Sequence, residues 1–395
     1  MITITEKVNC CGCFSCYNIC PTQSISMIPD DEGFLYPTID LNKCINCNLC
    51  EKHCPILQSK NNIQQKKEEG QIIYGCRNSI NNELYKSSSG GMFSLFAKKI
   101  FEDQGIVIGA KFNEKWNVVH TAIDDIKDLQ YLIGSKYVQS EIGFIYKKTK
   151  ELLKNNCKVL FIGTPCQVSG LHSFLSKEYN NLITIDFVCH GVPSPLVWQQ
   201  YLKEIIPDNS NIKSINFRDK HTGWPQYCFS YSYISNNQEY KYYIPTRRNP
   251  FMRGFLHNLY LRPSCHKCKF KGFTSKSDIT MSDFWGVWKN YPKWNDQKGA
   301  SCIAINTKKG LDFFNSLNDK DFSKVDITFK QAYIDYNHSA LHTTPYNPKR
   351  NEFFRKFQQE PFSTLSLRLS KDPILTQIKI AISDILNVLR QINHY

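Results

Sequence analysis

The sequence predicts an α+β N-terminal module followed by an α/β domain with a mixed sheet, and three observations lead to this division. Cysteines are concentrated in two runs within the first 55 residues. Two later segments have the order strand, loop, helix, and each has a cysteine just past its strand. A third region alternates apolar and polar side chains, as antiparallel strands do. The predicted organisation is a cysteine-rich module at 1–57, a linker at 58–71, an α/β domain at 72–320 and a C-terminal extension at 321–395.

The N-terminal cysteines form two copies of one spacing. Each copy is C-x2-C-x2-C-x3-C followed by proline, and Cys44 lies 34 residues after Cys10. This is the spacing of two-cluster bacterial ferredoxins, in which the fourth cysteine of each run ligates the other cluster. It predicts a ferredoxin-like module with two 4Fe-4S clusters, held by Cys10, Cys13, Cys16 and Cys54 and by Cys44, Cys47, Cys50 and Cys20. Structural zinc is typically bound by separated C-x2-C pairs and fits this pattern less well.

The remaining elements follow from periodicity and from helix and strand boundaries. In the module, strands are expected at Ser24–Met27 and Leu35–Ile39. The α/β domain is expected to begin at Ile72–Cys76, and its expected strands are Ile106–Phe112, Val159–Gly163, Leu182–Val188, antiparallel segments in 212–245, Asp278–Met281 and 299–306. The expected helices are Met92–Glu102, one that follows Thr164–Gln167 and runs to about Ser176, Ser194–Ile206, 308–317 and an amphipathic tail helix from Pro373 to about Asn393.

A serine- and glycine-rich stretch precedes the first of these helices. Small residues with free amides at a helix N-terminus form an anion site, because the N–H groups and the helix dipole both point outward. This pattern predicts a cradle for a flavin phosphate formed by Ser88, Ser89, Gly90 and Gly91. An ordinary serine cap, with glycines for tight packing, is the open alternative.

Four further cysteines are candidates for one more metal centre. Cys166 and Cys189 follow two strands directly, and the carboxyl ends of strands in open α/β sheets form the ligand-binding edge. The pair Cys265 and Cys268 completes a set of four. Zinc and a 4Fe-4S cluster both accept four thiolates, and the two clusters already predicted favour a third 4Fe-4S cluster. The other cysteines lack partner spacing and are expected to be small buried hydrophobes: Cys11, Cys76, Cys157, Cys228 and Cys302.

Charge and composition restrict the class of protein. The 395 residues carry a formal charge of +14, which suggests anionic partners. Three clusters of charge about −2 each would lower this to roughly +8. The sequence has no nucleic-acid-binding module, so we expect an acidic cofactor or redox protein as partner and no nucleic acid; an iron–sulfur nucleic-acid-binding protein is an alternative supported only by charge.

The apolar segments indicate the expected location. No stretch approaches 18 apolar residues, so no membrane span is expected. The segment Met1–Val8 lacks the basic start and apolar block of a signal peptide. Seventeen cysteines without such a signal predict a reducing compartment, and we expect a cytoplasmic protein.

Seven collinear segments between about residues 74 and 310 resemble the beta subunit family of coenzyme F420 hydrogenase and dehydrogenase. They are SSGGMFSLFAKKIFEDQGIVIGA, GSKYVQS, LFIGTPCQVSGL, DFVCHGVPSP, FRDKHTGW, LRPSCHKCKF and SDITMSDFWG. The resemblance implies an α/β flavoprotein that binds FAD beside a 4Fe-4S cluster and passes electrons to or from a two-electron substrate. That substrate is the deazaflavin in archaeal members, and a plant relative similar to 7-hydroxymethyl chlorophyll a reductase uses ferredoxin as donor. Carried onto this sequence, the cofactor-binding residues are Ser88, Ser89, Gly90, Gly91, Thr164 and Gln167.

Together these features predict an iron–sulfur flavoprotein oxidoreductase with a ferredoxin or other redox protein and a small two-electron substrate as partners. His190, beside a predicted ligand, is a candidate proton donor. Arg247 and Arg248 are predicted to bind an acidic substrate tail or the FAD pyrophosphate, with Arg218, Lys220 and Arg253 as further candidates. The competing hypothesis is a non-enzymatic subunit that hands electrons to a separate catalytic protein.

Overall fold

The computed structural model describes residues 2–59 and 71–372. Most of the predicted linker, and the predicted tail helix from Pro373 to Asn393, lie outside the described residues. Among the helices of these two ranges, none combines the length and apolar character needed to cross a membrane.

Thirteen strands are assigned within the described ranges. They are β1 (Ile25–Pro29), β2 (Leu35–Ile39), β3 (Ile72–Asn78), β4 (Ile106–Phe112), β5 (Val118–Ile123), β6 (Val159–Gly163), β7 (Leu182–Phe187), β8 (Asn211–Asp219), β9 (Cys228–Ser235), β10 (Gln238–Pro245), β11 (Ile279–Asp283), β12 (Ser301–Ile305) and β13 (Phe322–Asp326).

The α-helices of the same ranges are mostly short, and the longest have eleven residues. They are α1 (Ser15–Ile19), α2 (Leu49–Lys52), α3 (Pro55–Gln58), α4 (Asn81–Lys86), α5 (Met92–Glu102), α6 (Leu129–Leu132), α7 (Ile145–Lys154), α8 (Pro165–Leu175), α9 (Pro195–Ile205), α10 (Pro250–Leu256), α11 (Val287–Asn290), α12 (Lys308–Asn315), α13 (Arg350–Lys356) and α14 (Phe362–Leu369).

An eight-stranded mixed sheet forms the centre of the molecule, as the sequence predicts. Its order is β13-β3-β12-β11-β7-β6-β4-β5, and the inner strands β11, β7, β6 and β4 are parallel. Consecutive residues of β6 point to opposite faces: Leu160 packs in the cluster that contains α5 and α12, and Phe161 in the cluster that contains α7 and α8. Because both faces are covered, the inner strands are continuously apolar rather than alternating.

A second layer encloses an aromatic core beside this sheet. The antiparallel strands β8, β9 and β10 pack with α9, α10, α13 and α14 around Trp198, Phe217 and Phe251, whose side chains are fully buried. Residues beyond 320 contribute to both layers, since β13 pairs with β3 and α14 packs against α10. The described part of the C-terminal extension therefore packs on the same body as the α/β domain.

The small N-terminal module, built on the β1–β2 hairpin and α1 to α3, packs closely against the rest of the chain. Glu32 forms a two-contact ion pair with Arg350, at 2.8 and 2.5 Å. Helix α8 approaches the module at Gly170, where an added Cβ would lie 2.8 Å from the Cβ of Cys13. Gly12, at φ +66°, leaves similar room for the guanidinium of Arg262. Close backbone approach thus brings the cysteine runs against the α/β body.

Candidate cofactor-binding site

The first predicted cysteine set surrounds a small cavity in the N-terminal module. Cys10, Cys13, Cys16 and Cys54 line it together with apolar side chains such as Ile56. Burial, and then the neighbouring thiols, raise the pKa of Cys16 well above its ordinary value and that of Cys54 to about 12. Four neighbouring thiols ionise together only when a cationic centre compensates their charge, so a metal centre bound here would displace protons from them.

The second predicted set lies at the surface of the module. Cys47 is exposed, Cys44 and Cys50 are half-buried, and Cys20 is buried. The Cys20 sulfur lies 3.2 Å from Ser24 Oγ, and the amide of Ile2 donates to the sulfur of Cys50 over 3.3 Å. Donors to sulfur are among the groups that set cluster potentials, and exposure is another.

The third predicted set is brought together by the fold. Cys166 lies in the first turn of α8 after β6, Cys189 follows β7, and Cys265 and Cys268 come from a short 3-10 helix, Pro263–Lys267, and its end. All four line one cavity, as the strand-end argument predicts. Among residues 2–59 and 71–372 no three His, Cys, Asp or Glu side chains converge on a point that could hold a single metal ion. The thiols are instead distributed around the cavity wall.

Cys11 connects the first and third sets. It lines both cavities, the first together with Cys13 and the third together with Cys166. Its sequence context predicts a small buried hydrophobe, and Cys11 is buried. Its position between two cysteine sets depends on the docking of the module against α8, which cysteine spacing does not encode.

A larger cleft of about 290 Å³ opens at the carboxyl edge of the parallel strands. Its walls come from the serine–glycine loop, from 132–140, and from the segments that follow β6 and β7. The cleft and the third cysteine cavity share the segment 187–192, which contains Cys189 and His190. This is the edge at which open α/β sheets bind ligands.

The four residues of the predicted phosphate cradle divide between two roles. Ser88, Ser89 and Gly91 line the cleft, and Gly91 begins α5 at φ +77°. Gly90 lies behind the loop, where its amide donates to Ser301 Oγ at 2.9 Å. Ser89 Oγ donates to the carbonyl of Ala300 at 2.8 Å, so the loop is fastened to β12 while its outer face remains toward the cleft.

Thr164 and Gln167 form a capping box at the start of α8, and both line the cleft. The Gln167 amide also donates to Ser140 Oγ at 2.8 Å, which links α8 to the loop on the opposite wall. A T-x-x-Q cap satisfies the free amides of the first helical turn. These two residues therefore shape the cleft next to Cys166.

The other candidate residues occupy different surroundings. His190 lies on the shared wall, its Nε2 is 2.7 Å from Asn258 Oδ1, and burial lowers its pKa. Arg247 and Arg248 are exposed near the end of β10 and do not line the cleft. Arg218 does line it, and its Nη1 lies 2.7 Å from Asp283 Oδ2.

Lys136 is a cleft residue that the sequence patterns do not single out. Its ammonium donates to the carbonyls of Leu132, Ile133 and Gly134 at 3.2–3.3 Å. Enclosure in the cleft lowers the pKa of Lys136 to about 7. The side chain therefore exchanges a proton near neutrality. Its segment, GSKYVQS, is part of the family resemblance, but nothing in it marks a lysine that faces a cleft.

Asp186, on the wall of the third cysteine cavity, predicts a pH dependence of stability. Burial raises its pKa to about 6, against hydrogen bonds from Ser275 and Thr280. Between about pH 4 and 6 the native state then binds more protons than the unfolded state, so this group lowers stability as pH rises through that window. We expect Asp186→Asn to remove this decline, which amounts to at most about 1.4 kcal/mol per pH unit. Urea unfolding of the metal-free wild type and variant between about pH 4 and 6 measures the free energy of unfolding at each pH. The same pH dependence of that free energy in both proteins would contradict the prediction.

Two family models match the sequence. Residues 120–328 match the model described as the C terminus of the beta subunit of coenzyme F420 hydrogenase/dehydrogenase, which is more than half of the chain. The chain belongs to the coenzyme F420 hydrogenase/dehydrogenase beta subunit family. Residues 9–56 match the model of the 4Fe-4S dicluster domain, which agrees with the two cysteine runs.

Similar curated proteins come from Methanocaldococcus jannaschii. The uncharacterized protein MJ1349 is 25% identical over 208 residues, 46% of this chain and 56% of that protein. The coenzyme F420-dependent sulfite reductase is 25% identical over 206 residues, 50% of this chain and 30% of that protein. The chain thus spans about half the length of the first relative and less than a third of the second.

Among solved structures, a chain of the F420-reducing [NiFe] hydrogenase complex from Methanosarcina barkeri matches with a TM-score of 0.43 and 15% identity. The match covers 78% of this chain and 93% of that chain. The family and dicluster matches relate this protein to F420-dependent oxidoreductases and to iron–sulfur electron transfer.

Proposed function

We infer that this protein is an iron–sulfur flavoprotein oxidoreductase, in which three 4Fe-4S clusters exchange electrons with an FAD that acts on a small two-electron substrate. The observation that supports this most is the serial order of three cavities. Cys11 and Ile56 line both the first and third cysteine cavities. The segment 187–192 lines both the third cysteine cavity and the cleft. Adjacent walls favour electron passage from the module to the cleft.

The cysteine sets have the chemistry that iron–sulfur clusters require. Thiolate sulfur is the ligand of 4Fe-4S clusters, and each set supplies four thiols. Apolar residues complete the first cavity, and two buried cations face the third. Apolar surroundings and nearby charges are two means by which a protein sets the potential of a cluster.

The cleft suits a flavin by its polar character and by its place at the carboxyl edge of the sheet. Ligand pockets typically measure roughly 300–1,000 Å³, and this cleft lies near the lower limit. Arg218 Nε and Nη2 and Asp283 Oδ1 are buried without a hydrogen-bond partner among the described residues. The N-terminus of α5 at Gly91 faces the same space without a side-chain cap. Both features leave hydrogen-bonding capacity for a bound polar ring and its phosphates.

The residues of the cleft would have two roles, proton exchange and positioning of the surrounding elements. When bound, the clusters would supply single electrons, and a flavin would supply hydride chemistry once it has taken up two electrons and a proton. Lys136 would hold or release a proton near neutral pH, and His190, whose pKa is lowered by burial, keeps its Nε2 directed to Asn258. Thr164 and Gln167 hold the start of α8 in place between the cysteine cavity and the cleft.

Replacing Cys166 tests the cluster assignment. Wild-type protein purified without oxygen should contain about twelve irons and one flavin per chain. We expect Cys166→Ser to contain about eight irons, because one thiolate of the third set is lost. Cys157→Ser is the matched control, since Cys157 lines none of the three cavities. About eight irons and no flavin in the wild type would contradict the proposal.

An electron-transfer subunit without its own substrate is the second candidate function. Cys47 is exposed in the second set, and Ile45 and Leu41 beside it are exposed at 63% and 69%. An exposed apolar patch at a cluster site suits contact with a redox protein. Turnover of deazaflavin or another small substrate by the isolated chain would exclude this candidate, whereas flavin-free protein that exchanges electrons with ferredoxin would favour it.

A further inference from the structure

Two buried cations lie in the wall of the third cysteine cavity. Arg262 is fully buried and Lys271 is 8% exposed. Among residues 2–59 and 71–372, neither forms an ion pair with a carboxylate, although the chain forms such pairs at many other sites. An uncompensated buried charge is strongly unfavourable. The compensating negative charge must therefore come from another source.

Arg262 lies between the N-terminal module and the third set. Its Nε donates to the carbonyl of Cys10 at 2.8 Å, and its Nη2 lies 3.6 Å from the sulfur of the same residue. The remaining donors go to Gln139 Oε1 and the carbonyl of Leu35, both at 2.9 Å, and Tyr36 covers the guanidinium face at 4.3 Å. These partners orient the side chain but supply no carboxylate. A guanidinium cannot lose its charge by deprotonation.

Lys271 lies on the other side of the same cavity. Its ammonium donates to the carbonyl of Ser339 at 2.7 Å and to the carbonyl of Cys189. Carbonyl oxygens satisfy the N–H donors but carry no net charge. Like Arg262, Lys271 therefore has hydrogen-bond partners without an anionic partner among the described residues.

The two cations divide the cysteines between them. Arg262 interacts electrostatically with Cys10 and Cys13 of the first set and with Cys166 and Cys265 of the third set. Lys271 interacts with the other two members of the third set, Cys189 and Cys268. Every thiol of the third set thus shares its cavity with both buried cations and interacts with at least one of them, and Arg262 also contacts Cys10 of the first set.

We propose that Arg262 and Lys271 are fixed counter-charges that raise the reduction potential of the third cysteine site, and that Arg262 is shared with the first site. This rests on the proposed function, because both sites must hold clusters. A cluster with four thiolates carries about −2 when oxidised and gains one negative charge on accepting an electron. A nearby fixed cation stabilises the more negative state, so its removal makes the potential more negative. Both side chains are positioning residues that act through the electrostatic field.

Redox titration followed by electron paramagnetic resonance tests the division of roles on full-length, cluster-loaded protein. We expect Arg262→Gln to shift the signals of two clusters, and Lys271→Met the signal of one. Each neutral substitution should make the potential of the affected cluster more negative. The expected change is at least tenfold in the reduction equilibrium, which is about 59 mV for one electron. Lys267→Met is the matched control, since Lys267 lies between Cys265 and Cys268 but is exposed.

Charge-conserving variants distinguish the electrostatic effect of the two side chains from the effect of their packing. Arg262→Lys and Lys271→Arg should keep potentials near those of the wild type. If the neutral variants lose iron from the third site while the charge-conserving variants retain it, the counter-charge role is supported as well. Unchanged potentials in both neutral variants, or equal shifts in neutral and charge-conserving variants, would overturn the inference. Wild-type protein without a third cluster signal would instead refute the proposed function.

Discussion

Replacing Phe251 with alanine is expected to lower the free energy of unfolding by about 3–5 kcal/mol. Phe251 lies in α10, is fully buried, and its ring centroid is 5.2–5.8 Å from those of Trp198, Tyr201, Phe217 and Tyr260. Removing the ring loses its burial and leaves a cavity among rigid aromatic side chains that cannot collapse into it.

Leu256→Ala provides the control on the same helix. Leu256 is 45% exposed, so its truncation should change the free energy of unfolding by far less than that of Phe251. Urea unfolding of both variants beside the wild type measures the difference. Equal decreases in the free energy of unfolding for the two variants would contradict the prediction that the buried aromatic core contributes more to stability than the exposed side of the helix.

Replacing Gly90 with valine is expected to reduce the flavin content of the purified protein at least tenfold while the N-terminal clusters are retained. A Cβ at Gly90 would lie 2.5 Å from the carbonyl oxygen of Cys76 and 2.6 Å from the amide of Ser301. Both are backbone atoms of the central sheet, so the serine–glycine loop must move instead. That movement displaces Ser88, Ser89 and the start of α5 from the cleft.

Gly143→Asn separates this effect from general loss of a glycine. Gly143 has φ +53°, a Cβ added there would meet no atom within 4 Å, and the residue does not line the cleft. Asparagine tolerates that conformation. The control should keep its flavin, as judged from the visible spectrum and from flavin released on denaturation. Full flavin content in Gly90→Val would contradict the assigned position of the cofactor.

Local signals predicted the strands β4, β6, β7, β11 and β12 of the central sheet but did not identify β3, β5 or β13 as strands. The predicted bounds of α5, β4 and β6 coincide with the observed ones, because Gly91 and Gly105 flank the helix and both strands are continuous apolar runs. In the N-terminal module the first predicted strand, Ser24–Met27, is observed at Ile25–Pro29. Strand ends are set by pairing with the partner strand, and sequence periodicity does not contain that information.

The candidate site was predictable to the extent that it depends on spacing and strand ends. Those two signals brought Cys166, Cys189, Cys265 and Cys268 together. Neither signal identifies Cys11, Arg262 or Lys271, whose environments arise from contacts between distant segments. The sequence also does not show which basic side chains line the cleft. Arg247 and Arg248 are exposed outside it, while Lys136 lies inside it.

The ion pair between Glu32 and Arg350 has a consequence for biosynthesis. Its partners are 318 residues apart in the chain. At 5–20 residues per second, a ribosome needs roughly a quarter of a minute to a minute to synthesise that interval. The cysteine runs are complete early in this interval, whereas Arg262 is added only after more than two hundred further residues and Arg350 only at its end. The docking of the N-terminal module against the rest of the chain is thus completed late in translation, after an interval in which the cysteine runs already exist without the segments that pack on them.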